Sequence, residues 1–366
     1  MKGNSPMHVR GLPWLLLTLL LAGPLAAGTP KRVSWLNSIQ QPPDEIPGDK
    51  LRFLSVRQAN LDQLIESRKD WEAHREIVRD RWLTYLGPVA QRERPLPAIQ
   101  VLSTETLDDG IIRQRIAYEV LPGEMIEAYL LIPSKITGRV PGVVVLHSTV
   151  NHSIRQPAGV EGKAEKAFGL EAARRGMIAI CPRNYLWPNN DEIKAQEQAD
   201  KFLAAYPESK GMARMLHDSL VAVDLLLAQP HVHPGKIAAV GHSLGAKEVI
   251  YLAAFDQRVG VTISSEGGVS KTFSNWGAPW YLGEQIDRFP HEHNELLGLI
   301  APRPFLLIGG DSADGAVSWP IIADAMQIYR LYDRHPPLGL FNHGQGHAVP
   351  PIAEQRIYEW LETYLD

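Results

Sequence analysis

Cysteine is nearly absent from this chain: its 366 residues hold one, Cys181. An intramolecular disulfide and a cysteine zinc cluster are therefore excluded. Cys181 ends the apolar run Met-Ile-Ala-Ile-Cys and reads as an inert core thiol. Dense basic stretches are lacking too. With a net charge of -4, no nucleic-acid partner is expected. There is no Gly-rich phosphate loop, no internal repeat and no low-complexity tract. The longest N-terminal apolar run, Leu12 to Ala22, is too short for a membrane span. What remains is ordinary globular composition, 45% hydrophobic and 21% charged, which is enough for a large core.

The first 27 residues read as a secretory signal. Lys2, His8 and Arg10 precede the apolar run, and the small residues Gly23, Ala26, Ala27 and Gly28 follow it. Cleavage is expected near Ala27 or Gly28, and the product is expected in the periplasm or outside the cell. No stable membrane span is expected after cleavage. No cysteine follows the run, so a lipid anchor on a new N-terminal cysteine is excluded. An exported chain without disulfides suits a bacterial periplasm.

Residues 28–98 read as a linker and an N-terminal helical extension. The linker, residues 28–50, carries Pro42, Pro43 and Pro47. Residues 59–86 show helical spacing at Leu61, Leu64, Ile65, Trp71, Val78 and Trp82. The main domain is expected over residues 99–366. Ile111–Val120 and Met125–Ile132 flank a Pro122-Gly123 turn and read as a hairpin. Val140–His147 is a continuous apolar run, as a buried parallel strand requires. Helical patterns are expected at 161–175, 191–205, 209–228, 244–255, 321–332 and 352–365. Strands are expected at 177–181, 236–241, 259–264, 304–309 and 339–342. This alternation predicts an α/β fold, a mostly parallel sheet with helices on both faces. Residues 267–300 break the rhythm and read as an insert over the sheet edge.

Gly241-His242-Ser243-Leu244-Gly245 carries the chemistry. An apolar strand, Ile237–Val240, leads into it and a helical segment follows. Such an elbow perches the Ser243 hydroxyl above the sheet as a nucleophile. The Leu244 amide falls at the helix N-terminus, where free N–H groups favour an oxyanion. A second donor is expected from the amide of Ser148 or Thr149, in the loop after the first core parallel strand. A serine needs a base, and histidine suits because it titrates near neutrality. The chain order Ser, acid, His points to His347, after the last strand, with His343 as its competitor. Asp314, after the penultimate strand, is the favoured acid to orient the imidazole. Glu266 and Asp311 are the alternatives.

At these residues the chain resembles the α/β-hydrolase superfamily, over roughly residues 99–366. It looks most like the dienelactone-hydrolase and acetyl-xylan-esterase-like branch. The segments that carry the likeness are Gly241–Lys247, Ile300-Ala-Pro-Arg-Pro-Phe305 and Gly346-His347. The resemblance implies cofactor-free hydrolysis of small carboxylic esters. A partial similarity to glucuronoyl esterases rests on Lys247, four residues after the serine, and on Glu266. The chain departs from that group at Leu244, where the group has arginine. Lys247, Trp276 and Trp280 are candidate contacts for a carbohydrate or other small ester. A serine peptidase of the same fold, and a non-catalytic binding protein on this scaffold, are the rival functions. His231/His233 and His291/His293 lack a third ligand nearby in sequence, so no metal is expected.

Overall fold

The computed structural model describes residue 1 and residues 31–47, 51–60, 63–188 and 192–366. The expected signal peptide, residues 1–27, lies outside the described residues apart from Met1. A short antiparallel pair, β1 (Gln58–Asn60) and β2 (Gln63–Leu64), precedes α1 (Arg68–Leu86). A capping box starts α1: the Ser67 hydroxyl accepts from the Asp70 amide while the Asp70 carboxylate accepts from the Ser67 amide. Trp71, Val78, Trp82, Leu83 and Leu86 then bury one face of the helix.

Nine strands form the main sheet. The antiparallel part is β3 (Gln100–Thr106), β4 (Ile111–Leu121) and β5 (Glu124–Pro133). The parallel part is β6 (Val140–Leu146), β7 (Ile178–Pro182), β8 (Val232–His242), β9 (Val259–Ser265), β10 (Phe305–Gly309) and β11 (Leu338–Asn342). Their order across the sheet is β11-β10-β9-β8-β6-β7-β5-β4-β3. Helices α2 (Phe168–Arg174), α3 (Ala195–Ala205), α4 (Gly211–Leu227), α5 (Leu244–Phe255), α6 (Asn294–Ile300), α7 (Trp319–Tyr329) and α8 (Pro351–Leu365) complete the chain.

Strand side chains alternate between two cores because successive Cβ atoms point to opposite faces. Val144, Ile237, Ala239, Phe305 and Leu307 enter one core, with α1, α4, α5, α6 and α7. Val143, Val145, Ala238, Val240, Leu306 and Ile308 enter the other, with α2 and α8. Both faces are covered, so the parallel strands read as unbroken apolar runs.

Several expectations need correction. The segment read as a linker is structured where it is described. Residues 36–40 form a 3-10 helix, with Leu36 and Ile39 buried in the second core. Gln40 Nε2 donates to the carbonyls of Pro336 and Leu338 beside β11. The helix expected at 161–175 is shorter, because a 3-10 turn occupies 164–166 and α2 begins at Phe168. The 267–300 insert is no loose cover. It contains α6, which is buried on all sides, and Trp276, which is fully buried. The described residues between 32 and 366 form one compact unit. Among the described residues no helix is long and apolar enough to cross a membrane.

Candidate active site

The site lies at the carboxyl ends of the parallel strands. β8 ends at His242 and α5 starts at Leu244, so Ser243 alone makes the turn. Its φ of 60° and ψ of -115° are unusual for a residue with a Cβ. The flanking glycines permit this bend. A Cβ on Gly241 would stand 2.1 Å from the Gly245 carbonyl oxygen, and one on Gly245 would stand 2.0 Å from the Leu146 oxygen. The second contact also shows how closely the end of β6 approaches the first turn of α5. The Ser243 amide donates to the Ser265 carbonyl at 2.8 Å, tying the elbow to β9.

Glu266 follows Ser265 in a left-handed conformation, φ 56°. The residue is 1% exposed. Its carboxylate accepts from the Gly310 amide, from the Ala313 amide at 2.7 Å, and from His347 Nδ1 at 3.2 Å. An ionised carboxylate can only accept. Nδ1 therefore carries the ring proton, and Nε2 keeps its lone pair. The His347 side chain is 41% exposed, so that nitrogen is reachable from solvent. Its loop is held by the Gly346 amide, which donates to the Gly310 carbonyl at 2.7 Å.

Asp314 does not meet the imidazole, which corrects the favoured acid. Its carboxylate is fully buried and accepts from the amides of Gly268 (2.7 Å) and Val269 (2.8 Å) and from the Ser318 hydroxyl (2.8 Å). Burial pushes its pKa up, against these hydrogen bonds. Asp314 thus braces the loop after β10 against the loop after β9. Asp311 is exposed and holds Asn342 Nδ2 at 2.8 Å and the Ala316 amide at 3.1 Å. The His343 Nδ1 accepts from the Gln345 amide at 3.1 Å, which leaves His343 supporting the loop.

His242 joins the elbow to the imidazole. Its ring centre stands 4.7 Å from that of His347. Nδ1 faces Ser265 Oγ at 3.1 Å, and Nε2 faces Lys166 Nζ at 2.9 Å. An ammonium can only donate, so His242 Nε2 accepts and Nδ1 donates. Burial foremost, then Lys166, pushes the His242 pKa well down, so the ring is neutral. Among the described residues the Ser243 hydroxyl makes no side-chain hydrogen bond, the nucleophile-to-base link with His347 included. Such links often tighten only with substrate.

At the expected oxyanion side, His147 follows β6. It donates from Nδ1 to the Ser148 carbonyl (2.8 Å) and accepts at Nε2 from the Asn184 amide (3.1 Å). Burial lowers its pKa to about 4, so it stays neutral and holds this loop. Ser148 is buried and Thr149 exposed. The Leu244 amide, at the first position of α5, has no intrahelical partner to occupy it.

Lys247 and Glu248 are both buried on α5. Lys247 Nζ donates to Ser274 Oγ at 2.6 Å and sits 4.0 Å from the Trp276 ring centre. Burial lowers its pKa to about 7. Burial raises that of Glu248 to about 8. Trp276 is enclosed, with Nε1 donating to the Gly268 carbonyl at 2.8 Å, so it backs Lys247 and offers no open face to a sugar. Trp280 is half-buried. The His291/His293 pair is otherwise engaged: His291 meets Glu295 at 2.8 Å, and His293 Nε2 meets the Tyr251 hydroxyl at 2.8 Å. Among the described residues no cluster of three His, Cys, Asp or Glu is arranged to hold a metal. Lys166, Glu248 and Ser274 went unnoticed in the sequence, where no spacing marks them.

The model of the dienelactone hydrolase family matches residues 126–276. That span contains the elbow and Glu266. The chain has the α/β-hydrolase fold. YtaP of Bacillus subtilis (strain 168), whose name places it only among hydrolases, is 24% identical over 244 residues, 63% of this chain and 79% of YtaP. A glucuronoyl esterase from Solibacter usitatus superposes with a TM-score of 0.68 at 14% identity, covering 87% of this chain and 99% of that one. A CE15 glucuronoyl esterase from Teredinibacter turnerae T7901 gives 0.63 at 19%, covering 85% and 88%. An acetyl xylan esterase from Paenibacillus sp. R4 gives 0.55 at 15%, covering 91% and 99%. At these identities the structural likenesses establish the fold. The resemblance seen in the sequence, to the dienelactone hydrolase branch with partial similarity to glucuronoyl esterases, stands.

Proposed function

We propose that this α/β-hydrolase cleaves a carboxylic ester, borne by a carbohydrate or another small molecule, through an acyl-enzyme on Ser243. The observation that carries the reading is the Glu266–His347 pair beside an elbow whose single turn residue is a serine. Ser243 Oγ attacks the carbonyl carbon while His347 Nε2 takes its proton. The amides of Leu244 and of Ser148 or Thr149 stabilise the oxyanion. Collapse expels the alcohol, which receives the proton from His347. Water then attacks the acyl group as His347 removes its proton, and Ser243 Oγ leaves. Glu266, in place of Asp314, holds the imidazole and stabilises its cation. Lys247 offers hydrogen bonds to substrate hydroxyls.

The sugar-ester class draws support from structural neighbours named as glucuronoyl and acetyl xylan esterases. Export is proposed from the pattern of residues 1–27 alone. The deciding experiment combines two readouts on the purified protein. A fluorophosphonate probe is expected to label Ser243, and Ser243→Ala is expected to abolish turnover of glucuronate methyl esters or of acetylated xylan. An unlabelled Ser243, or full activity in S243A, would overturn the reading.

A further inference from the structure

A cavity of about 280 Å³ lies beside the antiparallel strands. Its walls come from the β4–β5 turn at Glu124, the loop after β7 with Arg183, Tyr185 and Trp187, Lys201 on α3, and Arg214 on α4. These lining groups include three cations and one carboxylate, Glu124. Arg214 is spoken for. Its Nε bonds both Asp218 oxygens at 2.8 Å, and a terminal nitrogen bonds Glu124.

Arg183 is different. The residue is 7% exposed, yet its guanidinium donates no hydrogen bond to any described residue, and its Nε is buried without a partner. Glu127 is the carboxylate that acts on it through space, but Glu127 is bonded to Arg115 at 2.8 Å. Burial pushes the Arg183 pKa down. A cation buried without hydrogen bonds is costly to keep unless something arrives to pair with it. Trp187, on the same wall, has an Nε1 that is also buried without an acceptor. The Arg183 guanidinium on the cavity wall suits a planar anion with several acceptor atoms, such as a carboxylate. Tyr185 and Phe202 supply aromatic surface of the kind a sugar ring packs on.

One wall of the cavity is tied to the loop after β6. The amide of Asn184, next to Arg183, donates to His147 Nε2, and the Trp187 ring meets the His147 ring edge-on at 4.7 Å. His147 holds the Ser148 carbonyl in turn. We propose that this cavity is a subsite for the carboxylate of an acid-bearing saccharide, with Arg183 as its ligand. The site of chemistry rests on the esterase reading, whereas the binding does not.

Binding is therefore measured on the Ser243→Ala protein by calorimetry, with glucuronate, glucose 6-sulfate and glucose as probes. Glucuronate is expected to bind about tenfold or more tighter than glucose. Arg183→Gln is expected to erase that difference. Lys201→Glu, an exposed charge reversal that leaves the buried wall intact, is expected to weaken glucuronate severalfold. Equal binding of glucuronate and glucose, or unchanged glucuronate binding in either variant, overturns the proposal. Preference for the sulfate over glucuronate overturns the carboxylate assignment. A second arm compares p-nitrophenyl esters of glutarate and butyrate on otherwise unmodified protein. Arg183→Gln is expected to lower kcat/KM for the anionic ester about tenfold more than for the neutral one. Absence of both turnovers from the protein that keeps Arg183, with its glucuronate preference intact, would count against the esterase reading and leave the subsite standing.

Discussion

Glu266 reaches His347 across 81 positions of sequence, with Oε2 3.2 Å from Nδ1. Replacing it by glutamine keeps the shape but lets an amide N–H point at Nδ1, favouring the wrong ring tautomer. Glu266→Gln is expected to lower kcat about a thousandfold with little change in KM. Asp314→Asn sets an amide group against the Gly268 and Val269 amides instead. It is expected to cost about 1–3 kcal/mol of stability and much less kcat. Steady-state kinetics and urea unfolding on both variants separate the two roles. Equal losses of kcat would restore Asp314 as a candidate acid.

Ser243 carries backbone strain as well as a hydroxyl. Its φ of 60° clashes with a Cβ, whereas glycine adopts it freely. Ser243→Gly is expected to be inactive and about 1 kcal/mol more stable than Ser243→Ala. Urea midpoints measure the difference, and identical midpoints would remove the strain argument.

Lys247 has its pKa lowered to about 7, so it is cationic below that pH and neutral above it. If its charge helps hold substrate, KM for a sugar ester rises as the pH climbs through about 7 to 8. Lys247→Gln is expected to show a high KM without that step. A KM–pH profile for both proteins tests this, and the same step in the variant would assign it to another group.

Glu248 titrates in the opposite sense. Its folded-state pKa of about 8 lies above the ordinary glutamate range, so the fold retains a proton that the unfolded chain has released. Stability is therefore fullest below the ordinary glutamate pKa and falls as pH rises through about 8. Glu248→Gln should match the parent near pH 4 and exceed it by up to about 4 kcal/mol at pH 8. Urea unfolding at the two pH values checks the sign.

The elbow was legible because two strong local signals meet there, the apolar strand Ile237–Val240 and the helix after it. The imidazole was legible from its place after the final strand. The acid was not, because the choice between Glu266 and Asp314 turns on side-chain reach and on a left-handed backbone at residue 266. α6 went unseen because all seven of its residues are buried, which erases any helical stripe. β3 failed for the reverse reason: every residue from Gln100 to Thr106 is exposed, so no apolar alternation marks it. Lys166 meets His242 across 76 positions, a distance over which no local pattern operates.

The 3-10 segment at residues 36–40 has a consequence for how these molecules meet one another. By lending its Gln40 side-chain amide to main-chain oxygens beside β11, it closes one border of the sheet to a visiting strand. The far border, β3, stays unzipped among the described residues, and there exposed Val101 and Leu102 stand among polar groups such as Thr104 and Glu105. Growth by strand addition is therefore obstructed at the β11 border and open at β3.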